Sequence, residues 1–203
     1  MKFIYFDVGG VLVRDLSDTN EWSLLLDEWG LVGENRQKFN KFFNSFEEKL
    51  NIGNGIEDFS KIMEKRFGVE LPKNYSLSNE LVDRFFCQNK KMMEIIGKIR
   101  DSYKLGLLTN MYKGMLDLIR KKKLIPDVYW SVIVDSSIEK CKKPEGKIYE
   151  IAQERSKMDI NEILFVDNKK ENLEIPKKMG WQTFWFDSSN YERSNKELES
   201  FLR

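Results

Sequence analysis

Asp7 closes a short apolar run, Phe3-Ile4-Tyr5-Phe6, and is followed at once by Val8-Gly9-Gly10-Val11-Leu12. Adjacent glycines let a backbone turn tightly and approach a ligand closely. A carboxylate fixed at such a turn can attack an electrophile and carry it as a covalent intermediate, as in aspartyl-phosphate chemistry; it can equally be an acid that happens to sit in a turn. Thr109-Asn110 ends a second apolar run. Its hydroxyl and amide suit phosphate oxygens, although Thr and Asn are also ordinary helix caps. Lys143 directly precedes Pro144, which fixes the backbone ahead of a helical pattern. A lysine held there can offset charge on a nucleophile and a phosphoryl group, or remain a solvated cation. Asp167-Asn168 ends another run, Ile163-Leu164-Phe165-Val166, with Glu171 and Asn172 beyond. Magnesium takes one or two carboxylates with waters and substrate oxygens, so Asp7 and Asp167 can supply two hard ligands; capping of the following helix is the alternative.

Composition narrows the chemistry. The 203 residues contain no histidine, which removes Ser-His-Asp and Cys-His mechanisms and the commonest zinc ligand. Acid–base work must fall to carboxylates, lysine, tyrosine or water. With 34 basic against 33 acidic residues the net charge is +1, which gives no reason to expect a nucleic-acid partner. Lys121-Lys122-Lys123 sits where a helix should end, and cations suit that end of the helix dipole. Two cysteines, Cys87 and Cys141, make no disulfide framework and are expected to be reduced thiols. The apolar start is too short for a signal peptide and no stretch approaches a membrane span, so a cytoplasmic protein without membrane contact is expected.

The elements that must position these residues follow from hydrophobic period. Residues 3–7, 105–109, 132–135, 163–167 and 183–187 are continuous apolar runs, as strands buried on both faces of a parallel sheet are. Four end in Asp and the other in Thr109-Asn110, a pattern expected if all the strand ends face one crevice. Helical spacing separates them at Met92, Ile95, Ile96 and Ile99, at Met115, Leu118 and Ile119, at Ile148, Ile151 and Ala152, and at Leu198, Phe201 and Leu202. This alternation predicts an α/β, doubly wound parallel sheet. Residues 15–90 differ. They show no convincing strand but four apolar stripes: Leu24, Leu25 and Trp29; Phe39 to Leu50; Phe59, Ile62, Met63 and Phe67; and Leu81 to Phe86. Gly33, Gly53-Asn54-Gly55 and Pro72 separate them. The reading is a helical bundle inserted between the first and second sheet strands, with the aromatic stripes as its core.

Four segments, Phe-Asp-Val-Gly-Gly-Val-Leu, Leu-Leu-Thr-Asn, Lys-Lys-Pro-Glu-Gly-Lys-Ile-Tyr and Phe-Val-Asp-Asn-Lys-Lys-Glu-Asn, resemble the four motifs of the haloacid-dehalogenase (HAD) superfamily, in the same order and over nearly the whole chain. The insert resembles that superfamily's α-helical cap. The resemblance implies a core of residues 1–14 and 91–203, a cap of 15–90 over the crevice, and strand order 5-4-1-2-3. It makes Asp7 the nucleophile, Thr109 with Asn110 beside it the phosphate-binding pair, and Lys143, not Lys142, the motif lysine. It makes Mg2+ the cofactor, held by Asp7, the Gly9 carbonyl, Asp167 and Asn168.

The sequence departs from that pattern at Gly9, where most phosphatases of the superfamily carry a second Asp as general acid and base. It departs less at Asn168, where many relatives have Asp. The reading that results is a magnesium-dependent phosphatase acting on a small phosphate monoester, with a sugar phosphate in view because a good leaving group needs less protonation. A metal-independent 2-haloacid dehalogenase and a binding or regulatory protein that has lost catalysis are the alternatives that Gly9 allows. Arg14, Asp15 and the loop 51–55 are candidates for substrate contact. Whether the chain is a monomer or a homodimer is left open by the sequence.

Overall fold

A computed structural model describes residues 2–53 and 59–202. The chain begins with β1 (Phe3–Phe6) and β2 (Val13–Arg14), then runs through α1 (Glu21–Glu28), α2 (Gly33–Leu50), α3 (Phe59–Ile62) with a π-helical continuation at Met63–Phe67, and α4 (Leu77–Arg84). It returns through β3 (Cys87–Gln88), α5 (Lys90–Ile99), β4 (Lys104–Thr109), α6 (Met115–Lys121), β5 (Val132–Asp135) and α7 (Ser136–Glu139). It ends with α8 (Gly146–Ser156), β6 (Ile163–Asp167), α9 (Glu171–Met179), β7 (Gln182–Trp185) and α10 (Tyr191–Phe201). The fold is α/β as the alternation predicts.

Five strands form one parallel sheet in the order β5-β4-β1-β6-β7. Counted in chain order this is 3-2-1-4-5, the expected order read from the other edge. Successive side chains on a strand point to opposite faces, and β1 supplies both cores. Phe3 and Tyr5 pack with Tyr149, Ala152, Phe165 and Trp181 on one face, while Ile4 and Phe6 pack with Leu107, Ile96 and Val166 on the other. Every β1 side chain is fully buried, which explains the unbroken apolar run. Gly106 in β4 is required by this packing, because a Cβ there would lie 2.7 Å from ring atoms of Phe3 and Tyr5.

The four stripes of the insert become α1, α2, α3 with its π-helical turn, and α4, and their aromatic rings are core. Trp22 and Phe43 lie 4.7 Å apart and Phe39 and Phe43 5.4 Å, centroid to centroid. Two details differ from expectation. The third stripe is broken into two helical forms, closing at Gly68 with φ 69°. The insert also has a strand, β3, which pairs antiparallel with β2 where the chain leaves and re-enters the sheet region. Two residues are too few to show a period in sequence. Of the loop 51–55, Asn54 and Gly55 lie outside the described residues.

Asn89 secures the return into the sheet. It is fully buried, its Nδ2 donates to Val11 O at 2.9 Å, and its carboxamide is paired with that of Asn195. Cys87 is exposed and Cys141 buried, both as free thiols. Among the described residues no helix is long and apolar enough to cross a membrane.

Candidate active site

The parallel sheet brings the C-terminal ends of β1, β4 and β6 side by side, with β1 in the middle. Asp7 continues β1, its N–H donating to Val166 O at 2.9 Å. The chain then doubles back: the N–H groups of Leu12 and Val13 donate to Val8 O at 3.0 and 2.9 Å, and Gly10 takes φ 73°, a conformation natural to glycine. A Cβ at Gly10 would also overlap the Asn168 carboxamide. The turn fixes the Asp7 carboxylate, whose Oδ1 accepts the Val8 N–H at 2.7 Å.

Lys143 is the hub. Its Nζ lies 2.9 Å from Asp7 Oδ2 and 2.6 Å from Asp167 Oδ2, and its side chain is 1 % exposed. Burial alone would lower its pKa, but Asp167 and then Asp7 outweigh that effect and raise it, so the ammonium stays charged. The backbone of Lys143 is clamped from β4: its N–H donates to Asn110 Oδ1 at 2.9 Å, and Asn110 Nδ2 donates to Lys143 O at 3.0 Å. The peptide to Pro144 is cis. Asn110, expected beside the phosphate, lines the cavity above these strand ends. Its carboxamide ties the end of β4 to the lysine loop.

Asp167 is the lysine's second partner. It is fully buried, and burial raises its pKa against the opposing pull of Lys143. Oδ1 accepts the Lys169 N–H at 2.7 Å and Asn172 Nδ2 at 3.2 Å; Oδ2 accepts Lys143 Nζ at 2.6 Å and Asn172 Nδ2 at 3.1 Å. Three donors, the Lys169 N–H, Lys143 Nζ and a shared Asn172 Nδ2, thus engage the two oxygens. Asp167 does not line the cavity, whereas Asn168, Asp7 and Gly9 do. Asp167 thus holds Lys143 from behind, while the atoms of the expected metal set that reach the cavity belong to Asp7, Gly9 and Asn168. Asn172 does the orienting from the first turn of α9. Its sequence signal was a second amide just beyond Asp167-Asn168.

Thr109 is fully buried at the end of β4 just beneath the cavity-lining Asn110, and among the described residues its Oγ1 has no hydrogen-bond partner. Buried hydroxyls are nearly always paired. An unpaired one next to Asn110, on the strand beside β1, suits an anion that arrives with substrate.

Above these strand ends lies a cavity of about 900 Å³, walled by Asp7, Gly9, Lys143 and Asn168 from the sheet side and by Asp15, Glu47, Glu48 and Asn51 of the insert. Two contacts join the walls: Tyr112 OH donates to Glu47 at 2.8 Å, and Lys142 pairs with Glu48 at 2.6 Å. Asp18 accepts from Ser188 at 2.5 Å, and Ser188 accepts from Asn168 at 3.2 Å. Asp15 is half-buried in the wall; burial raises its pKa, and the nearby Asp7 adds to the rise. Arg14 instead lies outside this cavity, over the ring of Tyr191 at 4.6 Å. For a cation the wall offers one carboxylate, the Gly9 carbonyl and the Asn168 carboxamide, hard oxygens of the kind magnesium accepts with waters and a phosphate. Among the described residues no cluster of three His, Cys, Asp or Glu side chains offers an all-protein cage.

No protein-family model matches the chain. It is 25% identical over 153 residues, 72% of its length, to acyl-CoA dehydrogenase family member 10 of Mus musculus, and spans only 14% of that protein. The structure superposes on a HAD-family enzyme of Bacteroides thetaiotaomicron in complex with magnesium and inorganic phosphate, with TM-score 0.73, 17% identity and 94% and 96% of the two chains covered. It also superposes on a HAD phosphatase from Thermococcus onnurineus, with TM-score 0.63, 21% identity and 100% and 98% coverage. An L-2-haloacid dehalogenase from Xanthobacter autotrophicus with chloropropionic acid covalently bound matches with TM-score 0.63 and 14% identity, over 90% of this chain and 76% of that one. Its sheet order and these superpositions give the chain the fold of the haloacid-dehalogenase superfamily.

Proposed function

We propose that the protein is a magnesium-dependent phosphatase that hydrolyses a small phosphate monoester through an aspartyl-phosphate at Asp7. The observation that carries this reading is the unpaired buried Thr109 hydroxyl, set beside a carboxylate that is locked against a buried ammonium. A phosphoryl group needs such a donor and such a cation, whereas a halide leaving group needs neither a spare hydroxyl nor a hard-oxygen wall. Two of the superposed proteins, one holding magnesium and phosphate and one named a phosphatase, support it.

Each residue has a task in that reaction. Val8 N–H and Lys143 hold Asp7 so that one carboxylate oxygen faces phosphorus. Lys143 offsets repulsion between the two anions, and Asp167 with Asn172 keeps the ammonium aimed. Thr109 donates to a phosphoryl oxygen. Asp7, Gly9 O and Asn168 would hold the magnesium ion, which when bound supplies charge stabilisation to the phosphoryl oxygens. Residues 15–90 serve as the cap, whose Glu47 and Glu48 approach the leaving group and exclude water. The substrate is a free small molecule, a sugar phosphate being the first class to test, in the cytoplasm and without nucleic acid or membrane.

The test is hydrolysis of an aryl phosphate and a panel of sugar phosphates, with and without magnesium, beside Asp7→Asn. Magnesium-dependent turnover that the variant lacks supports the reading. Folded protein that turns over no ester, but releases chloride from a 2-haloacid, sinks it.

A further inference from the structure

The space beside Gly9 is filled from elsewhere in the chain. A Cβ built on Gly9 would collide with Oδ2 of Asp15, and beyond its chain neighbours no residue other than Asp15 comes within 4 Å of it. The backbone at Gly9 is outside the left-handed region, so its conformation suits any L residue. Asp15 Oδ1 accepts the Ser17 N–H at 2.9 Å, which fixes the carboxyl with Oδ2 turned toward Gly9. Asp7, Gly9 and Asp15 line the same cavity.

Cleaving an unactivated phosphate ester demands a proton for the departing oxygen, and the following hydrolysis demands that water lose one. Of the other carboxylates of the wall, Glu47 accepts from Tyr112, Glu48 pairs with Lys142 and Asp18 accepts from Ser188, while Glu171 lines the cavity but does not come within 4 Å of a Cβ built on Gly9. Lys143 is enclosed between two carboxylates, and the chain has no histidine. The Asp15 carboxyl takes its hydrogen bonds from Ser17, and its Oδ2 sits next to the nucleophile's turn.

Building on the phosphatase reading above, we propose that Asp15 is the proton carrier of the reaction, reaching from the insert side into the space that Gly9 leaves open. In the first step an Asp7 oxygen bonds to phosphorus, the bond from phosphorus to the leaving oxygen breaks, and that oxygen takes the proton of the Asp15 carboxyl and departs as an alcohol. In the second step water attacks the aspartyl-phosphate and gives a proton to the Asp15 carboxylate. The bond between phosphorus and Asp7 breaks, releasing inorganic phosphate and restoring both carboxyl groups to their starting states.

The test compares two esters on the full chain with magnesium: dinitrophenyl phosphate, whose leaving group needs no proton, and an alkyl phosphate, whose leaving group does. Asp15→Asn retains the bond from Ser17 and should release about one equivalent of dinitrophenolate in a burst, then turn over about 10²–10⁴ slower. The same variant should show neither burst nor turnover with the alkyl ester. Gly9→Asp/Asp15→Ala returns a carboxylate to the same space from the other side. It should bring alkyl ester turnover back to within about tenfold of wild type. Wild-type alkyl turnover by Asp15→Asn, equal loss of the first step with both esters, or recovery of Asp15→Asn by excess magnesium would each overturn the proposal. Failure of the double variant, when folded, to exceed Asp15→Asn would do the same. Wild-type protein inert toward both esters would remove the phosphatase reading itself, and is told apart because it precedes any substitution.

Discussion

The Lys143 ammonium lies closer to Asp167, at 2.6 Å, than to Asp7, at 2.9 Å, and the Asp167 carboxylate is held in turn by Asn172 and the Lys169 N–H. The ammonium beside the proposed nucleophile is therefore itself held from behind. Asp167→Asn removes that hold without touching the cavity wall. Turnover should fall by about 10²-fold, with little change in the magnesium concentration needed for half activity. A magnesium titration shifted by more than the turnover loss would return Asp167 to the metal.

Lys143→Met poses the structural counterpart. It leaves Asp7 and Asp167 without their shared cation, and uncompensated buried charge costs about 3–5 kcal/mol. Thermal unfolding should drop steeply at pH 7. The drop should shrink as acid protonates Asp167, whose pKa burial raises, because the penalty belongs to the charged form. A variant as stable as wild type at pH 7 would show that the ion pairs carry no such weight.

Thr109→Val separates stability from function. The hydroxyl has no partner to lose, so replacing it with a methyl group should leave stability unchanged or raise it by about 1 kcal/mol. Inhibition by inorganic phosphate should weaken by about tenfold, as the loss of one hydrogen bond to an anion does. Melting curves and inhibition constants measured together check both halves, and destabilisation without weaker phosphate binding would refute the assignment.

Asn168→Asp adds a negative charge to the wall beside Asp7 and Gly9. Half-saturation by magnesium should move to lower concentration, since affinity for hard cations follows ligand charge. No shift in a titration of activity, or of tryptophan fluorescence, would place the cation elsewhere.

Asp135 gives a pH prediction remote from the nucleophile. Burial raises its carboxyl above the ordinary range, while its Oδ1 caps α7 by accepting the Ser137 N–H at 2.8 Å. A folded-state pKa above the unfolded one means that the folded protein binds the proton more tightly. The stabilisation is complete below the unfolded value and is lost as pH rises through the folded one. Asp135→Asn keeps an acceptor for Ser137 and does not titrate. Its melting temperature relative to wild type should therefore be more favourable at pH 7 than at pH 4, and a flat difference across that range would contradict the buried-carboxyl account.

These particulars mark what the sequence could convey. Apolar period announced the sheet and its helices because burial on two faces leaves an unbroken signature in Phe3–Phe6 and Ile163–Val166. The recurring terminal acids were less informative than they looked. Asp7 and Asp167 gather around Lys143, but Asp135 is a helix cap, and Asp187 lies beyond β7, accepting from Ser189 and pairing with Arg193. A capping carboxylate and a catalytic one are the same letter in the same place. Which donors engage each oxygen also escapes a one-dimensional reading, as the three donors on Asp167 and the Asn110 clamp on Lys143 show. The Asn89–Asn195 pair joins positions 106 apart in the chain, and no period predicts it.

The shared space between Gly9 and Asp15 couples the two positions, since a Cβ at the first would lie 2.4 Å from Oδ2 of the second and the free end of the Asp15 side chain would have to swing aside. A substitution at either position therefore changes the surroundings of the other. The two sites should vary as a pair among descendants of this architecture, with one carboxyl at a time occupying the corner.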